Sequence, residues 1–157
     1  MNSFVLAHRQ RIDALFGRVS SFSSPADQGE WSKYLCVLVS GYVEESLRVL
    51  LEEYSKNHAS HNIQSFVSSE LKEITNCKAS RITNILRKFQ PVWETDFLNE
   101  IQANSRVVDE IKNSIDGVIS NRHLIAHGKS VGINYSTISN YYRNVKKAVE
   151  ILETIIR

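Results

Sequence analysis

The segment WSKYLCVLVSGYVEESLRVLLEEYSK, residues 31–56, decides the fold class. Leu35, Leu38, Val39, Tyr42, Val43, Leu47, Leu50, Leu51 and Tyr54 recur in it at steps of three and four, the period of an α-helix. The apolar stripe is wider than one buried face requires. The segment therefore reads as a central helix covered on more than one side.

Working outward, the same period returns in every long segment. Upstream, residues 4–19 place Ile12, Leu15, Phe16 and Val19 at helical spacing, and a serine-rich stretch, 20–25, interrupts the pattern. Downstream, polar residues 57–62 end the central helix. Shorter helices follow over 62–73, with Ile63, Phe66, Val67 and Leu71, and over 80–89, with Ile82, Ile85, Leu86 and Phe89. Pro91 stops the latter, because proline disfavours helix in the residue before it. Thr95 is placed to cap a short helix over 96–101, Ser105 a long one over 106–126, and Ser136 the last one. The long helix lines up Val107, Ile111, Ile115, Val118 and Ile119; Gly117 inside it costs about 1 kcal/mol against alanine. Gly128 stands where a left-handed helix end wants it. The final helix carries Ile138, Tyr142, Val145, Val149, Ile151 and Ile155. With six glycines and two prolines in the chain, turn-rich β architectures are disfavoured. The expectation is an all-α, single-domain, up-down bundle of six to seven helices spanning residues 1–157.

Composition excludes several classes. At 157 residues with 42% hydrophobic content, the chain can bury a core and is not disordered as a whole. A net charge of +2 announces neither a nucleic-acid binder nor a membrane-surface protein, so any polyanion site must come from local placement of Arg and Lys. Cys36 lies in an apolar run and reads as core, while Cys77 follows Asn76 in a loop; the two form neither a metal-ligand spacing nor a disulfide framework. Residues 1–11 contain no continuous apolar stretch, and no apolar run approaches the ~18 residues of a membrane span. The expected setting is a reducing cytoplasm, without a membrane and without a cofactor.

Chemistry-bearing residues concentrate in Asn121-Arg122-His123-Leu124-Ile125-Ala126-His127-Gly128. Three readings of this stretch compete. Arg122 and His127 near a helix C-terminus complement the partial negative charge of its free carbonyls. His123 and His127, four residues apart on one helix face, can share a zinc ion. A zinc site needs three or four protein ligands, however, and no Glu follows His123 as in His-Glu-x-x-His. The third reading is phosphodiester chemistry. Arg122 presents a permanently charged planar fork that matches two phosphate oxygens. Histidine, as at His127, is the residue type suited to moving protons near neutrality. RNA cleavage through its own 2′-hydroxyl needs a base, an acid and cations that hold the transition-state charge.

The motif resembles the signature of HEPN domains: Arg, a polar residue, three more residues, then His, here Arg122, His123 and His127. Leu38-Val39-Ser40-Gly41-Tyr42-Val43-Glu44-Glu45-Ser46-Leu47-Arg48 resembles one branch in particular, the stand-alone RiboL-PSP-HEPN or MAE-type HEPN-like nucleases. The likeness covers roughly residues 31–153. It implies a helical bundle that dimerises so that two motifs face each other in a cleft. It further implies metal-independent endoribonuclease activity on an RNA substrate, in toxin–antitoxin or phage-defence settings, with an antitoxin or operon partner protein. One HEPN toxin group carries a modifiable Tyr two places after the His. Lys129 stands there in this chain.

Arg122 and His127 are the expected catalytic residues. Asn121, His123 and Lys129 are expected as substrate contacts or support. Either Glu44 or Glu45 can pair with Arg122. Spacing favours pairing of Glu44 with Arg48 four residues on, whereas Glu45, in line with the apolar Leu38, Tyr42 and Val49, is a carboxylate that wants a partner and is the expected support for Arg122. Two basic clusters, Lys78, Arg81, Arg87 and Lys88, and Arg143, Lys146 and Lys147, are either solvated faces or RNA-backbone contacts. Alternatives to the nuclease are a non-catalytic nucleotide- or RNA-binding HEPN module and a structural interaction partner.

Overall fold

The computed structural model describes residues 1–129 and 131–157. Among these, seven α-helices and no strand are present: α1 Ser3–Ser20, α2 Pro25–His58, α3 His61–Leu71, α4 Ala79–Phe89, α5 Pro91–Ala103, α6 Glu110–Ala126 and α7 Tyr135–Ile155. The all-α bundle expected from periodicity is present. No helix among the described residues is long and apolar enough to cross a membrane.

The 34-residue α2 is the axis, packing against α1, α3, α6 and α7. Its covered faces match the wide stripe, with Leu35, Cys36, Val39, Tyr42, Val43, Leu47 and Leu51 all buried. Buried side chains from all seven helices join one hydrophobic cluster. Side-chain contacts step along α1 and α7 in opposite directions. They run from Asn2–Glu153 through Arg9–Glu150 and Asp13–Lys146 to Phe16–Tyr135. These two helices are therefore antiparallel.

Helix ends depart from expectation for local reasons. α2 begins at Pro25 rather than Trp31, because Ser24 caps it through its Oγ and Pro25 occupies the first helical position. Pro91 ends α4 as expected but also starts α5, with the extended Gln90 shared by both helices. Thr95 is consequently inside α5 and caps nothing. α6 begins at Glu110, four residues later than Arg106. Asp109 takes a left-handed φ of 59°, and Arg106 folds its guanidinium onto Glu110 at 2.6 Å. Ser105 still serves this corner, accepting from the Ile111 amide at 3.2 Å. α7 is capped by Asn134, whose Oδ1 accepts from the Thr137 amide, and not by Ser136.

Gly117 acquires a reason. A Cβ there would lie 2.8 Å from Cζ of Tyr141 on α7, so the missing side chain lets that ring lie on α6. Cys36 does similar work between α2 and α6, its Sγ resting 3.4 Å from the Val118 carbonyl. Burial pushes that thiol up to about 12.

His8 on α1 carries a pH dependence. Its ring packs edge-on against Tyr42 at 5.4 Å, and its buried Nδ1 has no hydrogen-bond partner among the described residues. Burial lowers its pKa, opposed by Glu45 and aided by Arg11. The unfolded chain therefore takes up the proton first as pH falls. The stability His8 contributes is complete above its unfolded pKa of about 6.5 and declines as pH drops from there through the folded value. Urea titrations between pH 7.5 and 5 are expected to show this decline in the wild type and a flatter profile in His8→Leu.

Candidate active site

The C-terminus of α6 is built to stop sharply. His127 is the cap residue, and Gly128 takes a left-handed φ of 66°. The Gly128 amide returns to the Ile125 carbonyl at 3.0 Å and the Lys129 amide to Leu124 at 2.9 Å. This pair of bonds is a Schellman motif, which satisfies carbonyls that the helix end leaves open. It also leaves His123, His127 and Lys129 exposed. A Cβ on Gly128 meets no neighbour among the described residues, and the left-handed backbone is what opposes substitution. Gly128→Ala is expected to cost about 1 kcal/mol in urea unfolding, and Gly128→Asn less.

The His123 and His127 rings meet edge to face with centroids 4.4 Å apart. The Arg122 side chain reaches across to the segment between α3 and α4 and to α2. Its Nη1 donates to Oδ1 of Asn76 at 3.3 Å, and its Nη2 lies 3.8 Å from Oε1 of Glu44. The same Glu44 oxygen accepts from the Asn76 backbone amide at 2.8 Å. Beneath them Cys77 is fully buried, and burial together with Glu44 pushes its thiol up to about 12.

The expected acidic partner is corrected by one residue. Glu45 does not reach Arg122; it binds Arg48 at 2.6 Å, and Arg48 also binds Glu52 at 2.9 Å. Glu44, assigned to Arg48 from spacing, faces Arg122 instead. One residue turns a helix by about 100°, and Glu44 continues the row Cys36–Ser40 at steps of four, the row that meets α6. That row was visible in the sequence; which neighbour it faced was not. Asn76 was missed altogether, its one local cue being that Asn tolerates the left-handed backbone it adopts, φ 54°.

The remaining motif residues divide. Asn121 turns its amide back to the Gly117 carbonyl at 2.8 Å. The basic cluster on α7 is engaged within the fold: Lys146 with Asp13 and the Tyr142 ring, Lys147 with the Asn104 carbonyl, Arg143 with Asn140. On α4, Arg87 binds Asn84, while Arg81 reaches the Glu73 carbonyl at 3.4 Å. Among the described residues no three His, Cys, Asp or Glu side chains converge as a metal site.

The last turns of α6 thus carry a guanidinium engaged by Asn76 and Glu44 and two exposed imidazoles in mutual contact. A model of one family, RiboL-PSP-HEPN, matches residues 8–157. No significant match was found among curated proteins or among solved structures. The family match includes all seven helices apart from the first turns of α1, and it contains both halves of the Glu44–Arg122 contact. On this evidence the chain belongs to the RiboL-PSP-HEPN family, a nuclease-like or RNA-related helical module.

Proposed function

We propose that the protein is a metal-independent endoribonuclease that cleaves RNA by attack of the substrate's own 2′-hydroxyl, at a composite site formed by two copies of the chain. One observation carries this reading: the last turns of α6 carry both Arg122, engaged by Glu44 and Asn76, and the exposed, touching His123 and His127. Arg122 holds the phosphate and the charge that grows on it. His127 moves a proton to or from the reacting oxygens. His123, in contact with His127, orients it or touches the nucleotide, and the exposed Lys129 at the same helix end adds a contact to the phosphate.

In-line geometry favours two copies. In phosphoryl displacements the attacking and leaving oxygens are roughly in line, on opposite sides of phosphorus. The two imidazoles of one chain touch, so they approach the phosphate from one side. A second His127 supplies the other proton transfer from the opposite side, and a second Arg122 strengthens the positive field. In this reading RNA is the substrate, the homodimer is the working unit, and the activity suits a toxin or phage-defence effector restrained by an operon partner.

The test is cleavage of a mixed-sequence RNA in EDTA. Products ending in 2′,3′-cyclic phosphate are expected, with a rate that follows dimer concentration in the range where sedimentation detects dissociation. Tight nucleotide binding without cleavage of any RNA would instead favour a non-catalytic binding module. Equal cleavage by the wild type and by Arg122→Ala and His127→Ala would sink the nuclease reading.

A further inference from the structure

The connection between α3 and α4 reaches the α6 site through one residue. Asn76 holds a left-handed backbone, φ 54°, which most L residues disfavour. Its amide is held by Glu44 Oε1 at 2.8 Å and its carbonyl by the Lys78 amide at 2.8 Å, with the buried Cys77 anchoring the chain between them. Oδ1 is thereby presented to Arg122 Nη1 at 3.3 Å, while Glu44 Oε1 sits 3.8 Å from Nη2. The three residues close a triangle: Glu44 holds the Asn76 backbone, Asn76 holds the Arg122 side chain, and Arg122 faces Glu44.

We infer that Asn76 is a positioning residue that sets the plane of the Arg122 guanidinium for phosphate. The inference deepens the ribonuclease reading and rests on it. A guanidinium has five N–H donors, so one bond to Asn76 and the Glu44 contact leave donors for two phosphate oxygens. A fork binds two oxygens only if its plane is fixed, and a long side chain on a helix end is otherwise free to rotate. The chemical type matters as well. Asn supplies an acceptor oxygen without charge; a second carboxylate beside Glu44 would offset the positive field that Arg122 brings to the phosphate.

Asn76→Gly is the informative variant. It keeps the left-handed backbone and the amide bond to Glu44, and removes Oδ1. It is expected to lower kcat roughly tenfold, as for loss of one hydrogen bond to a charged group. KM for a short RNA is expected to stay within about twofold, since the loss falls mainly on the transition state. In an Arg122→Lys background the same change is expected to have no further effect, because Asn76 acts through the fork. In NMR, the Arg122 Nε–Hε order parameter is expected to fall while the Asn76-region backbone order is kept.

An unchanged kcat in Asn76→Gly, where Arg122→Ala abolishes cleavage, would overturn the inference and leave the nuclease reading intact. An equal fold-loss in the Arg122→Lys background would overturn it too, by showing a general effect of the loop. If Arg122→Ala cleaves like the wild type, the nuclease reading fails. The order parameter then decides the clamp separately: no change on Asn76→Gly removes it, a fall sustains it.

Discussion

Arg122→Ala is expected to reduce RNA cleavage by about 10²–10³, the usual loss when one group that holds transition-state charge is removed. His127→Ala is expected to lose about 10²–10⁴, the contribution of a positioned acid or base. Neither change should unfold the protein. His127 is exposed, and its helix ends on backbone bonds from Gly128 and Lys129 that need no side chain. The Arg122 side chain is a quarter exposed, and its loss leaves Glu44 still accepting from the Asn76 amide. The cost in stability is therefore expected to be within about 1 kcal/mol, typical of a partly exposed ion pair. Circular dichroism melting curves close to wild type, together with the lost activity, are the expected signature. Arg122→Lys should fall between, since it keeps the charge and loses the planar fork.

Tyr42→Ala is expected to give the opposite signature. Tyr42 is 1% exposed and sits where α1, α2 and α7 meet. Its ring is edge-on to His8 at 5.4 Å and to Tyr142 at 6.3 Å, and Tyr142 stacks on Phe16 at 4.6 Å. Removing a buried aromatic ring costs about 3–5 kcal/mol, from lost burial and from the cavity left behind. For a domain of this size that lowers Tm by roughly 10 °C. Tyr42 and Glu44 lie on different faces of α2, so the molecules that remain folded should cleave at the wild-type rate. Activity would then track the folded fraction, and a rate loss in fully folded Tyr42→Ala would contradict this division between scaffold and site.

The helical class was written in the periodicity of residues 31–56, because a 3.6-residue repeat of apolar side chains can be buried in only one kind of local structure. The sharp end at Gly128 was equally local: a glycine after the last apolar turn supplies the left-handed backbone seen there, φ 66°. Arg122, His123 and His127 could be singled out by residue type and spacing. The chain itself thus determined the existence of the helices, the stop of α6 and the side chains clustered at it. Helix starts at Pro25 and Pro91 were less legible, since the same proline that ends one helix fits the first turn of the next.

Tertiary structure decided who meets whom. Glu44 and Glu45 are chemically identical neighbours, and only the packing of the Cys36–Ser40 row against α6 turns Glu44 toward Arg122 and leaves Glu45 to Arg48. Asn76 lies 46 residues before Arg122, in a loop with no periodicity to read, and reaches it because α4 packs against α6. Gly117 looked like a defect in a helix until the Tyr141 ring was seen to occupy its place. Local pattern is set by backbone geometry within a few residues, whereas partners across the bundle depend on how whole helices rotate about their axes, and a rotation of one residue changes the partner.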